Sequence, residues 1–408
     1  MISTDFSPLE TRKDAFVALS LLFRPWSWRQ GKKAGIRVKN RLKKYAPKHE
    51  VALFLTARGA LYKTLEALEV RVGDEVIVVP FTCEAVIVPI LAHGAVPVYV
   101  DIEPVTYSID AKLLEAKISK KTRAIILQHT YGALPMDREA VVRIARGKRI
   151  TVIEDLAHGW DNAYIQNHPL STIKLFSFGR SKALSSVWGG AVAVSSPSIA
   201  TKLKNLERQL DQPSYRFVMR ALWYKPLSVF IKRTYEWGFG PVTVGRITHA
   251  AAHLLGLIMN ELSPREKQLK MDPHMIKAYP EAFAQLLLTQ LTTFEQIQAN
   301  RLSICSLYNQ YFPSSTRFEA PLSRYPMTVA HRDKLVALLR HKSIYVGQWY
   351  RKLMGDESSV TCRIANRTTE SIINLPTNIT MIQAERIVSA LEKAQTSLKK
   401  TADKHKKK

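Results

Sequence analysis

Three short stretches of this 408-residue chain hold residues whose types and spacing could do chemistry. In VIEDLAH, Val152 to His158, a buried apolar strand runs into Glu154-Asp155, and a carboxylate at such a strand end is costly unless it has a partner. The ordinary reading of an isolated Asp there is a helix cap or a surface acid. The functional reading is a carboxylate held against a cationic ligand nitrogen, with His158 reaching the same ligand. In LFSFGRSKALSSVWGGAVAV, Leu175 to Val194, Lys182 sits in a serine-rich loop between two apolar strands. Desolvation, with Arg180 and Lys174 close in sequence, favours the neutral amine that a Schiff base needs. Ser177, Ser181, Ser185 and Ser186 offer hydroxyls for a phosphate, and Gly189-Gly190 permit a tight turn into the next strand. In LTARGALYKTLEAL, Thr56-Ala57-Arg58-Gly59 opens a helix marked by Leu61, Leu65 and Leu68. Free backbone N–H groups at a helix start form a phosphate seat, to which Arg58 adds charge. A capped core helix fits that last stretch equally well.

These residues need a scaffold, and the intervening sequence describes one. Short β-branched runs alternate with helical segments: EVIVV at Glu75 to Val79, VPVYV at Val96 to Val100, RAIIL at Arg123 to Leu127, ITVIE at Ile150 to Glu154 and AVAVS at Ala191 to Ser195. Near-continuous apolar strands of this kind belong to a mainly parallel sheet covered by helices on both faces, an α/β fold. Ligands bind beyond the carboxyl ends of such strands, where the three stretches lie. One long helix is predicted from Glu281 to Tyr311, followed by a smaller α+β domain.

Lys and Arg number 60 against 34 Asp and Glu, a formal charge of +26, which calls for an anionic partner. The charge is concentrated outside the strand-bearing region. Residues 1–50 interleave Phe16, Leu19, Leu22, Phe23, Trp26 and Trp28 with many Lys and Arg, the composition of an amphipathic helix lying on an anionic bilayer. Residues 213–272 repeat the mixture, with Trp223, Phe230, Trp237 and Phe239 among Arg216, Arg220, Lys232 and Arg233. Helices packed on the core or on a dimer partner are an equal reading of that segment. Residues 398–408 read as a disordered basic tail. Between these lie a large domain at 51–212 and, at 273–397, the long helix with the small domain. Three widely spaced cysteines give neither a disulfide framework nor a zinc ribbon, so no metal is expected and a reducing compartment fits. No signal peptide or spanning segment is read, and no zinc finger or helix-turn-helix pattern accompanies the charge to suggest nucleic acid.

Taken in order, GDEVIV at 73–78, LAHGAVPVYVDIEPVTYSID, QHTYGALPMD at 128–137, VIEDLAH, and FSFGRSK followed by Gly-Gly resemble the DegT/StrS-type sugar aminotransferases, fold type I enzymes that use pyridoxal 5′-phosphate (PLP). HRDKLVALLRHKSIYVGQWY and INLPTNITMIQAERIVSAL look like that family's small domain. The resemblance implies a seven-stranded-type sheet with Lys182 as the Schiff-base lysine and Asp155 on the pyridine nitrogen. It places His158 beside the ring's phenolic oxygen, Ser177 on the phosphate, and Thr56-Ala57-Arg58 at the phosphate-binding turn. It further implies a cytoplasmic homodimer passing an amino group from an amino acid such as glutamate to a nucleotide- or lipid-linked keto sugar in surface-glycan synthesis; the two basic, aromatic segments, not the resemblance, suggest a place at the inner face of a membrane. Three departures stand out. VPFTC puts Cys83 where an aromatic commonly stacks on PLP, unless Phe81 takes that role. Trp188 replaces the acid usual before Gly-Gly. MDPHMIKAYPE stands where the family carries a Gly-x-Asn-x-Arg signature. A catalytically degenerate, membrane-associated binding or scaffold subunit is the alternative these departures leave open.

Overall fold

The computed structural model describes every residue except 7, 30–32, 163–171, 241, 313–315, 357 and 407–408, with side chains described as far as 398. Its centre is a seven-stranded sheet formed by β1 (Glu50–Phe54), β2 (Glu75–Val78), β3 (Val96–Tyr99), β4 (Thr122–Gln128), β5 (Thr151–Asp155), β6 (Ile173–Ser177) and β7 (Gly190–Val194). The order across the sheet is β1-β7-β6-β5-β4-β2-β3. Neighbours pair in parallel except around β7, which is antiparallel to both β1 and β6. Separate apolar clusters cover the two faces, one around Ile77, Ile125 and Leu127 and the other around Val76, Ile126 and Ile153. Adjacent residues of each central strand thus feed opposite layers, the reason these runs are apolar throughout rather than alternating.

A small antiparallel pair, Arg324–Thr328 with Ile372–Pro376, carries the helices Arg332–His341, Arg363–Ser371 and Met381–Lys406. The predicted long helix is broken into Glu281–Leu291 and Phe294–Tyr311. The break falls on Thr292 and Thr293, whose hydroxyls bond back to the carbonyls of Thr289 and Gln290. Two consecutive β-branched residues with competing side-chain bonds disfavour helix continuation. The tail expected to be disordered continues the last helix as far as Lys406, in keeping with a run free of Gly and Pro.

The basic N-terminal segment is folded onto the body rather than forming one free amphipathic helix. Residues Ile2–Ser3 add a short strand beside Ile344–Tyr345. Thr11 and Asp14 form a capping box on helix Arg12–Leu22, which packs along helix Tyr215–Thr234 of the 213–272 segment. Helix Lys33–Leu42 buries Ala34, Val38 and Leu42, and its first N–H groups are met by the Glu281 carboxylate, 2.6 Å from the Ala34 nitrogen. Lys225, wholly buried, lies 3.5 Å from Glu10 and 3.8 Å from Asp14, tying the two basic segments together.

The carboxyl end of β5 is fixed from behind. Glu154 points away from Asp155 and accepts from Arg138 at 2.9 Å and lies 2.8 Å from His129 Nε2. Burial by itself raises the Glu154 pKa, but the hydrogen bonds and charges of His129 and Arg138 outweigh it and hold the carboxyl far below its ordinary range. A depressed carboxylate contributes stability above its unfolded pKa of 4.5 and loses it as pH falls through the acid range. Glu154→Gln should therefore lose about 3 kcal/mol at neutral pH, because Arg138 is left buried without its counter-charge. Urea unfolding should also show a shallower decline of stability for Glu154→Gln than for the parent as pH drops from about 5 to about 3.

Candidate active site

Beyond the strand ends lies a cavity of about 270 Å³, and all eight residues expected at the site line it: Thr56, Ala57, Arg58, Cys83, Asp155, His158, Ser177 and Lys182. They come from four separate segments, and the sheet order explains much of their meeting. β1, β7, β6 and β5 lie side by side from one edge of the sheet to its middle, so the loops following β1, β5 and β6 converge.

Asp155, at the last position of β5, is 3% exposed. Its Oδ1 accepts the Ala157 N–H at 2.9 Å, and its other oxygen has no hydrogen-bond partner among the described residues. Burial raises its pKa, only partly opposed by the Ala157 N–H and the charges of Lys182 and His129. A cation placed against the free oxygen would relieve that penalty.

His158 is held at both ring nitrogens. Its Nδ1 accepts the Tyr131 N–H at 3.1 Å, and its Nε2 lies 2.9 Å from the Tyr350 hydroxyl. Burial, then Lys182 and Arg324, push its pKa well below 6.5, so the ring is neutral. A neutral imidazole that accepts at Nδ1 carries its proton on Nε2 and donates it to Tyr350. The Tyr350 hydroxyl hydrogen is thereby free for the cavity, which Tyr350 also lines.

The turn after β1 is built by close approach. Thr56 caps helix Ala57–Ala67, its Oγ1 accepting the Gly59 N–H at 2.9 Å and donating to the Met275 carbonyl at 2.9 Å. The N–H groups of Ala57 and Arg58 have no partner among the described residues and stand at the positive end of the helix. A Cβ on Gly190 would lie 2.5 Å from the Ala57 Cα and 2.6 Å from the Thr56 carbonyl carbon, so β7 reaches this turn only because residue 190 is glycine. That role differs from the tight turn expected of the Gly-Gly pair.

Ser177, at the end of β6, presents a hydroxyl without a protein partner among the described residues. The other serines do not join it. Ser181 bonds to Glu261 at 3.1 Å, Ser185 to Glu10 at 3.2 Å and Ser186 to the Trp188 carbonyl at 2.6 Å. Arg58 lines the cavity, but its guanidinium forms an ion pair with fully buried Glu266 and donates to the Glu261 carbonyl at 2.8 Å. Its charge is spent on the 213–272 segment. The two cations expected to depress Lys182 are also engaged elsewhere: Arg180 lies 3.6 Å from Glu261, and Lys174 on β6 interacts with Glu154. Burial brings Lys174 down to about 8. The Lys182 Nζ is 4.9 Å from the centroid of the Trp349 ring, over which the Arg324 guanidinium also packs.

Cys83 lines the cavity where an aromatic was expected, with its thiol pKa pushed up by burial. Phe81 does not replace it, being packed against the rings of Tyr107 and Tyr350. Gln128, Glu261, Leu262, Trp349 and Tyr350 also line the cavity and were not singled out from sequence. Gln128 lies in the quoted QHTYG stretch and the aromatic pair in GQWY, so both had a visible signal; Glu261 had none. MDPHMIKAYPE is used within the chain: Leu55 donates to the Lys277 carbonyl at 2.9 Å, and the Tyr279 hydroxyl lies 2.7 Å from that of Ser186.

Residues 22–218 match the sequence profile of the DegT/DnrJ/EryC1/StrS aminotransferase family. Among curated relatives, the chain is 39% identical over 155 residues to a UDP-2-acetamido-2-deoxy-3-oxo-D-glucuronate aminotransferase of Pseudomonas aeruginosa, covering 37% of this chain and 43% of that one. It is 36% identical over 159 residues to a protein of Geobacillus stearothermophilus named a pleiotropic regulatory protein, covering 38% and 42% respectively. The matches thus span less than half the length of either relative. The solved structure of NtdA from Bacillus subtilis, with bound cofactor PMP, superposes with a TM-score of 0.70 at 19% identity, covering 95% of this chain and 83% of that one. At that identity the likeness establishes the fold, and with 95% of this chain covered it extends beyond residue 218, where the family profile stops.

Two outcomes test this geometry. Gly190→Ala should lower the melting temperature by several degrees, on the order of 1–3 kcal/mol for overpacking, and weaken binding of a phosphate-bearing ligand at least about tenfold, read by calorimetry and ligand titration. The ring of His158, followed by ¹⁵N NMR against a His158→Gln reference, should keep one protonated nitrogen from about pH 5.5 to about pH 8.

Proposed function

Residues 22–218 place this chain in the DegT/DnrJ/EryC1/StrS aminotransferase family, and from that premise we propose that it is a PLP-dependent aminotransferase. In this reading it transfers an amino group from an amino acid, glutamate being the proposed donor, to a keto sugar linked to a nucleotide or a lipid, in surface-glycan synthesis. The observation that carries the reading is the meeting of a buried, half-satisfied Asp155, an unpartnered Ser177 hydroxyl, a free helix start and Lys182 in one cavity.

Those residues fit PLP by chemistry. The free Asp155 oxygen suits a protonated ring nitrogen, and the N–H groups of Ala57 and Arg58 with the Ser177 hydroxyl suit a phosphate. PLP bound there supplies an electron sink for the carbon that bears the amino group. Lys182, which lines the same cavity, would hold the cofactor through its amine, and that amine once free would be placed to carry a proton. Neutral His158 holds Tyr350 in place, and Trp349 closes the side of the cavity beside Lys182. The Arg58 guanidinium, committed to Glu266, acts as a tie that keeps Glu261 and Leu262 over the cavity rather than as a phosphate ligand.

A homodimer in the cytoplasm belongs to the same proposal, as does contact with an anionic membrane that would bring a lipid-linked sugar to the site. No helix among the described residues is long and apolar enough to cross a membrane. One second reading is favoured by a specific observation. The 213–272 segment spends the charge of Arg58 and closes over the cavity, as a binding or scaffold subunit that holds PLP without turnover would allow.

Reconstitution with PLP should give a visible absorption band, and borohydride should then fix the cofactor to the peptide containing Lys182. Lys182→Ala should abolish the borohydride-fixed product. Asp155→Asn should keep the trapped product but lower turnover of a glutamate-type donor by about a hundredfold. Wild-type protein that yields no trapped product contradicts the cofactor assignment, and trapped product without any transamination supports the scaffold reading.

A further inference from the structure

The 213–272 segment has apolar residues on the wrong side. On helix Tyr215–Thr234 the inner face, Val218, Ala221, Leu222 and Ile231, is buried against helix Arg12–Leu22 and the core. Yet Tyr215, Met219, Trp223 and Phe230, spaced i, i+4, i+8 and i+15, form a second apolar stripe on the outer face, exposed or half-buried. A helix that is apolar all round is normally covered all round. Helix Val244–Leu254 repeats the arrangement: Val244, Ile247, Ala251 and Leu254, at i, i+3, i+7 and i+10, share one exposed face. Between the helices, Trp237 and Phe239 project from a short hairpin, with Phe239 94% exposed. Phe16 on the packed N-terminal helix, and Phe23 and Trp26 after it, are exposed as well. Singly exposed apolar residues need no explanation, but periodic stripes on two neighbouring helices do.

The charge around these stripes selects their cover. Between Pro213 and Asn260 the only acid is Glu236, which pairs with the N-terminal amine, and between Thr11 and His49 the only acid is Asp14, which is buried. The same two segments carry Arg12, Lys13, Arg24, Arg216, Arg220, Lys232, Arg233 and Arg246. A second copy of this face would bring arginines against arginines with no acid to receive them. Protruding aromatic and aliphatic tips within a field of arginine and lysine suit a lipid interface, where the tips enter the headgroup boundary and the cations meet anionic headgroups.

We propose that the outer face of residues 215–255, together with the exposed edge of helix Arg12–Leu22, docks on the surface of an anionic lipid bilayer. Its position gives the docking a use. A second cavity, bounded by Tyr224, His253 and Ile258 from the inner side of this segment, adjoins the first and shares Arg180, Glu261 and Trp349 with it. The segment that would rest on lipid therefore also walls the way into the site. The docking stands on surface chemistry alone and does not depend on the catalytic reading.

The full chain should be sedimented with vesicles of phosphatidylcholine alone and of phosphatidylcholine with about 30% phosphatidylglycerol, at about 0.1 M and about 1 M salt. Binding to the anionic vesicles at low salt, at least about tenfold above that to neutral vesicles and reduced at high salt, is the expected result. The triple variant Phe239→Ser, Ile247→Ser, Leu254→Ser changes only exposed side chains, so its circular dichroism and melting temperature should match the parent while its vesicle binding falls at least about tenfold. Failure of the parent to bind anionic vesicles at low salt overturns the proposal, as does equal binding by parent and variant, or equal binding to neutral and anionic vesicles. A dimer that the triple substitution dissolves, seen by analytical ultracentrifugation, also overturns it by showing a second copy as the cover.

Discussion

A carboxylate buried at the end of a parallel strand must be paid in counter-charge, and β5 ends in two of them. Their side chains point to opposite faces of the sheet, and the faces treat them differently. Glu154 receives Arg138 and His129 and becomes a fixed anchor. Asp155 receives one backbone N–H and is otherwise turned, unpaired, into a cavity. Everything at the site follows from that asymmetry: the anchor holds the strand end rigid, and the second carboxylate waits in low dielectric for a cation that the protein itself does not place against its free oxygen. Desolvation makes such an arrangement unfavourable until a ligand completes it, which is how a stable scaffold comes to prefer its bound state.

Much of the scaffold was legible in sequence because continuous apolar runs of four to seven residues have few other uses. Five of the seven strands fall within a residue of the expected runs, while β1 was not read as a strand, and Asp155, Ser177 and Lys182 lie at or beyond strand ends. What sequence could not show were the partners. Arg58 reads as a phosphate ligand until Glu266, over two hundred positions away, takes its charge. Ser185 and Ser186 read as phosphate donors until their bonds to Glu10 and the Trp188 carbonyl turn them inward. The break at Thr292-Thr293 was hidden because apolar periodicity persists through it while the threonine hydroxyls compete locally for carbonyls. Trp349 and Tyr350, though within the quoted GQWY stretch, and Glu261, which no pattern marked, meet the site only through the tertiary fold.

The basic segments illustrate one sequence property serving two structural ends. Part of the N-terminal charge is absorbed by folding: Lys39 pairs with Glu207 at 2.7 Å, and helix Lys33–Leu42 is seated on Glu281. The remainder faces solvent beside apolar stripes that the same segments leave uncovered. Between these outer surfaces and the strand ends stands residue Arg58, whose ties to Glu261 and Glu266 couple the 213–272 segment to the first turn of helix Ala57–Ala67.

Asp155 would hold the ring nitrogen of PLP as a cation, and ¹⁵N NMR of protein reconstituted with ring-labelled PLP reads that nitrogen directly. A nitrogen that stays protonated well above its value in free PLP, and loses that protonation in Asp155→Asn, is the predicted result. A nitrogen that titrates as it does in free PLP, or whose shift is the same in the parent and in Asp155→Asn, would contradict it.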